Sequence, residues 1–186
     1  RPPRSTPLYS SAASDVYKRQ RTPGSVAAPT AGLHLTNDLL ERIKAIGVNV
    51  AKVDLVVGLD TFRPVTVKNP ADHVMHSERY NVSEATWHAC QTAKRVVAVG
   101  TTTVRALESA ARGPLAGRTE LFLRRGSQFQ IVDSMMTNFH MPRSTLLMMI
   151  DAFIGDRWKL LYQQALENQY RFLSFGDAML LDRMSN

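Results

Sequence analysis

Residues 136–147 read Met-Thr-Asn-Phe-His-Met-Pro-Arg-Ser-Thr-Leu-Leu. One amide, one imidazole, one guanidinium and three hydroxyls share this short stretch. An imidazole titrates near neutral pH and can move a proton in either direction, whereas a guanidinium stays charged and holds an anion. The stretch therefore has the groups to bind a carboxylate or phosphate beside a proton donor or acceptor. A second reading stands beside this one: an ordinary capped loop, with His140 satisfying a backbone group.

Three further stretches carry chemistry. Gly100-Thr101-Thr102-Thr103 follows the apolar run Val96–Val99. A strand, a turn and a helix start in that order turn free backbone N–H groups toward an anion. Residues 23–36 (PGSVAAPTAGLHLT) are small and hold two prolines and two glycines, loop chemistry that allows close approach of a ligand or of backbone. His73, His76 and Glu78 have the donor types of a metal site. Their three-residue spacing suits a helix, whereas Pro70 and Asp72 argue a loop, so no metal is expected.

These groups need elements to position them. Pro142 disfavours helix at Met141, Ser144 is a natural N-cap, and Thr145 to Ile154 is apolar nearly all round until Gly155, which predicts a buried helix. Thr36 caps a predicted helix to Ile46, and Val48–Val57 reads as a strand. Pro70–Tyr80 reads as a loop, a helix runs from about Ser83 to Arg95, and Val96–Val99 is a buried-type strand. Val104–Arg112 is helical. Glu120–Leu123 and Phe129–Val132 read as a hairpin joined through residues 124–127. A helix over Arg157–Tyr170 and a short apolar strand near the end complete an α/β pattern. Met135, Met136, Met141, Met148 and Met149 read as core filling, and Cys90 as a small hydrophobe.

The 186-residue length suits one domain with its own core. A single cysteine, Cys90, excludes an internal disulfide framework and a multi-cysteine zinc site, and fits a reducing, cytoplasmic setting. No apolar run approaches the roughly 20 residues that span a bilayer, so no membrane is expected. The net charge is +7; Arg1, Arg4, Lys18 and Arg19 against Asp15 put +3 of it in residues 1–20 and leave +4 for the rest. That excess permits a polyanionic partner. Residues 1–20 follow neither a helical nor a strand period and are expected to be a disordered leader. Their end, Ser10–Gln20, has the look of translated adapter read-through to be excluded from the fold. Residues 21–186 are expected to form the C-terminal part of a catalytic α/β domain.

Residues 23–36, 73–80 (HVMHSERY), 100–109 (GTTTVRALES), 137–147 (TNFHMPRSTLL) and 170–180 (YRFLSFGDAML) together resemble the S-adenosylmethionine:tRNA ribosyltransferase-isomerases of queuosine biosynthesis. The resemblance runs from Arg21 to the C-terminus with the motifs in family order. It implies a partial barrel-like catalytic domain with flanking helices. It also implies a family member about twice as long, whose N-terminal part and inserted β domain are missing here, and hence an inactive fragment. One departure is Gly58-Leu59-Asp60-Thr61-Phe62, where the family commonly has Gly-Ala-Gly-Thr-Phe.

The implied reaction moves the ribosyl part of S-adenosylmethionine onto 7-aminomethyl-7-deazaguanine at the tRNA wobble position. Isomerisation gives epoxyqueuosine with release of adenine and methionine. S-adenosylmethionine is consumed as a ribosyl donor; tRNA is the partner, no metal takes part, and the complete protein is expected to be a monomer. Near pH 7 the acceptor amine is mostly protonated, and freeing it costs on the order of 4–5 kcal/mol, so a base or a desolvated pocket is needed. Within the matched motifs the expected proton-transfer groups are His140, His34, Glu78, His76 and Asp177. Thr101, Thr102, Thr103, Arg105, Glu108, Asn138, Arg143 and Ser144 are expected to bind the donor. Arg63, Arg79, Arg124 and Arg125 are expected at phosphates or on solvated surface. Glu108 also reads as a helix-surface partner of Arg105. The alternative function is a non-catalytic nucleic-acid-binding module, which the charge allows. Such a module has no use for several histidines and carboxylates in loops.

Overall fold

A computed structural model describes residues 29–58, 65, 67, 72–173 and 176–184. The leader, Asp60 and Arg63 lie outside the described residues.

A 3-10 turn over Thr30–His34 leads into helix α1, Asn37–Ala45, whose N-cap Thr36 accepts the Leu39 N–H at 3.2 Å. Strand β1 is Asp54–Val56, β2 is Glu78–Asn81, and helix α2 is Glu84–Thr92, capped by Ser83. Strand β3, Val97–Val99, runs through Gly100 into helix α3, Thr101–Ala110. Strands β4, Ala116–Thr119, and β5, Ser134–Asn138, precede helices α4, Thr145–Ile154, and α5, Arg157–Glu167. Strand β6 is Ala178–Asp182.

The described strands form two three-stranded sheets, β1-β2-β4 and β3-β5-β6. The first is antiparallel throughout; in the second, β3 runs parallel to β5 and β6 antiparallel to it. Central β5 is buried except for half-buried Met136, as a strand covered on both faces must be. Ala98, Met135 and Leu181 stand in one register row and all are buried. Helix α3 touches β3, β5 and β1, so it links the two sheets. Helix α4 packs on α5 and β6, burying Leu147, Met149, Ile150, Phe153 and Ile154. Met135 and Met149 fill the core, whereas Met141 is exposed.

Four local expectations need correction. The strand expected over Val48–Val57 shrinks to Asp54–Val56, because its partner ends at Asn81, opposite Asp54, before the chain turns into α2. The loop expected to Tyr80 yields to β2 from Glu78. Helix α3 begins at Thr101 instead of Val104: Gly100, at φ 92, makes the turn from the strand where a side chain would be strained, and it caps no N–H by a side chain. The hairpin over 120–132 does not form. The N–H groups of Gln130, Ile131 and Val132 are taken by the Glu108 carboxylate at 2.9–3.1 Å, in place of a partner strand.

Candidate active site

Parallel pairing brings the carboxyl ends of β3 and β5 to one edge of the second sheet, and the antiparallel β6 begins there. That edge is where open α/β sheets place ligands. Gly100 donates its N–H to the Met136 carbonyl at 2.8 Å, and a side chain there would reach Ala31; the Thr30–His34 turn touches β5, so the turn and the start of α3 meet at this edge.

Asn138 ties the edge together. Its Oδ1 accepts from Thr30 Oγ1 at 2.8 Å, and its Nδ2 donates to the Asp177 carbonyl at 3.1 Å. Three segments far apart in sequence are thereby joined through one buried amide. Asp177 accepts the Arg171 N–H at 2.5 Å and pairs with the Arg171 guanidinium at 3.2 Å. These hydrogen bonds hold its carboxyl below the usual carboxylate range, with a smaller pull from nearby His34, which is exposed.

His140 follows at the end of β5. Its Nε2 lies 2.8 Å from Thr137 Oγ1, its backbone N–H donates to Tyr162 Oη at 2.8 Å, and the carbonyl before it accepts the Leu173 N–H at 2.9 Å. Burial pushes the imidazole down to about 4, so it is neutral at pH 7 and a weaker base than a solvated one. Ser144 is the helix cap the sequence predicts, accepting from Leu147 N at 3.1 Å and donating to the Met141 carbonyl at 2.7 Å. Arg143 is exposed, at φ 57, and its carbonyl accepts the Val65 N–H at 2.8 Å.

The first turn of α3 supplies Thr101, buried, and Thr102 and Thr103, half-buried. Thr103 Oγ1 donates back to the Val99 carbonyl at 2.7 Å. With no side chain capping this helix, its first N–H groups have the polarity to hold a carboxylate.

Other expected site residues lie elsewhere. Arg105 is buried against Glu78 and donates to the His76 and Thr119 carbonyls at 3.0 and 3.3 Å; its Nε meets no acceptor. Burial lowers the Arg105 pKa, against an opposing pull from Glu78. Glu78 Oε1 also accepts the Gly58 N–H at 3.2 Å. This pair pins α3 to β2. His76 contributes its backbone carbonyl to this arrangement, and the residue is exposed. Glu108 is fully buried, and its partner is Arg112, at 2.6 Å, not Arg105. Arg125 is held by Asp151 and Asp156, Arg124 lies over the Phe122 ring, and Arg79 is exposed on β2. His73 sets its ring edge-on to Phe122.

Sequence reasoning missed Thr30, Arg171 and Tyr162. The first two sit inside recognised motifs. Tyr162 gives only a weak signal, a polar tip on the apolar face of a helix.

The family model described as "Queuosine biosynthesis protein" matches residues 9–181. The S-adenosylmethionine:tRNA ribosyltransferase-isomerase of Polynucleobacter necessarius is 50% identical over 172 residues, covering 89% of this chain and 49% of that protein. The protein of the same name from Deinococcus radiodurans is 52% identical over 176 residues, covering 89% and 48%. The crystal structure of the S-adenosylmethionine tRNA ribosyltransferase of Thermotoga maritima superposes with a TM-score of 0.66 at 43% identity, over 81% of this chain and 50% of that one. The chain spans about half the length of the curated relatives it matches. By its matched residues and its fold, the chain belongs to the queuosine biosynthesis family of S-adenosylmethionine:tRNA ribosyltransferase-isomerases.

Proposed function

We propose that the chain carries part of the active site for transfer of a ribosyl group from S-adenosylmethionine to 7-aminomethyl-7-deazaguanine in the tRNA anticodon, with isomerisation to epoxyqueuosine. The supporting observation is the junction at Asn138, which gathers the Thr30–His34 turn, the β5 end with His140, and Asp177 at one sheet edge. The uncapped start of α3 and Arg143 offer the positive groups that the methionine carboxylate of the substrate requires. His140, neutral and weakly basic in the free chain, serves as a proton acceptor once the negative charge of bound tRNA raises its basicity, for the acceptor amine or the carbon beside the sulfonium. To His34, exposed near Asp177, this reading assigns the donation of a proton to the departing adenine. Glu78, Arg105 and Glu108 act through the fold, by fixing α3. In the whole protein these sheets belong to a larger, barrel-like domain, and the protein works as a cytoplasmic monomer on tRNA.

The test is a chimera that supplies the part of the relatives this chain does not span. The chimera should release adenine from S-adenosylmethionine in the presence of substrate tRNA, its Asn138→Ala variant should not, and the 186-residue chain alone should release none. A folded chimera without adenine release would sink the reading.

A further inference from the structure

The antiparallel sheet alternates strictly. Glu78 and Tyr80 of β2 and Thr119 of β4 point inward and are buried, while Arg79, Asn81 and Arg118 point outward and are exposed. The register sets Arg79 directly opposite Arg118. Two like charges facing each other across neighbouring strands weaken a sheet. Neither guanidinium pairs with a carboxylate among the described residues. Asp54 shares the face but stands opposite Asn81, one row away, and makes no ion pair with either. Arg118 is also held in place: its Nε donates to Ser77 Oγ at 2.9 Å and its Nη2 to the Ser77 carbonyl at 2.8 Å. Those bonds use its Nε and Nη2 and leave Nη1 available to a further acceptor.

We propose that this face is an RNA-backbone surface on which Arg79 and Arg118 together grip one phosphodiester. The proposal rests on the tRNA reading and adds to it a contact surface on the other sheet from the candidate active site. An anion placed between the two guanidiniums removes the repulsion that the strand register imposes, so a charge arrangement unfavourable in the free protein becomes favourable in the complex. A preorganised guanidinium loses less freedom on binding and suits the planar geometry of a phosphate.

The test titrates a fluorescently labelled hairpin RNA with the 186-residue chain across a salt series. Arg79→Glu should lower affinity about tenfold at low salt and reduce the slope of log affinity against log salt by about 1, the loss of one phosphate contact. The same variant should melt at a higher temperature, because the new carboxylate faces Arg118; a purely structural Arg79 would give the opposite shift. Arg118→Gln should reduce the salt slope by about 1. Unchanged affinity and slope in a folded Arg79→Glu chain overturns the proposal, as does a wild-type chain that binds no hairpin RNA. Failure of the transfer reading shows separately, as a folded chimera that binds RNA but releases no adenine.

Discussion

The Tyr162 hydroxyl lies 2.8 Å from the backbone nitrogen of His140 and accepts its N–H, joining helix α5 to the end of β5. Burial in an aromatic cluster with Phe139, Trp158 and Phe172 raises the Tyr162 pKa to about 12, so the phenol stays protonated through the working range. Tyr162→Phe keeps the ring contacts and removes only the acceptor. The expected loss of stability is about 1–3 kcal/mol, the cost of a buried donor left unmatched. Denaturant titration measures it, and faster amide exchange at His140 localises it. Normal exchange at that amide would show the bond to be dispensable.

The depressed pKa of His140 makes stability depend on pH. Between about 6.5 and about 4 the unfolded imidazole binds a proton that the folded one refuses. Stability from this group is therefore complete above pH 6.5 and is lost as pH falls toward 4, by about 3 kcal/mol at most. His140→Gln should flatten the stability profile in that window. An identical slope in wild type and variant would assign the pH dependence to other groups.

Glu108 predicts a large effect from one position. Glu108→Ala strands the N–H groups of Gln130, Ile131 and Val132 and removes the partner of Arg112, so a loss above about 3 kcal/mol is expected. Arg112→Ala should cost less, since that side chain is partly exposed and the backbone donors remain on the carboxylate. Comparing the two by chemical denaturation decides the order; a larger loss for Arg112→Ala contradicts it.

In the chimera, His140→Ala should lower turnover at least about a hundredfold while changing S-adenosylmethionine affinity much less. Arg143→Ala should do the reverse, weakening binding by on the order of 1.5–3 kcal/mol. Single-turnover rates and equilibrium binding separate the two effects. A near-normal single-turnover rate for His140→Ala would make His140 structural and move the proton-transfer role to His34.

Local rules carried the sequence reading a long way. Thr36, Ser83 and Ser144 cap helices as their side chains and spacing suggest, and the apolar run after Ser144 is buried. The α/β class and the turn at Gly100 were equally readable. What escaped depends on groups distant in sequence. Residues 129–132 have the composition of a strand, yet the N–H groups of Gln130, Ile131 and Val132 go to a carboxylate on α3, which no periodicity reports. The Glu78–Arg105 pair and the Tyr162–His140 bond likewise arise between separate elements. The Asn138 contacts with Thr30 and Asp177 place the matched motifs together, but sequence alone did not say which atoms would meet.

The Asn138 junction also has a kinetic meaning. The Thr30 and Asn138 side chains meet across 108 positions of chain, and Asn138 reaches the Asp177 carbonyl across a further 39. Contacts that close such long loops form late, after local helices and turns are in place. The junction should therefore be among the last parts to assemble and among the first to come apart. Destabilising substitutions remote from it, in the α4–α5 core for instance, would then impair ligand binding before they abolish helical structure.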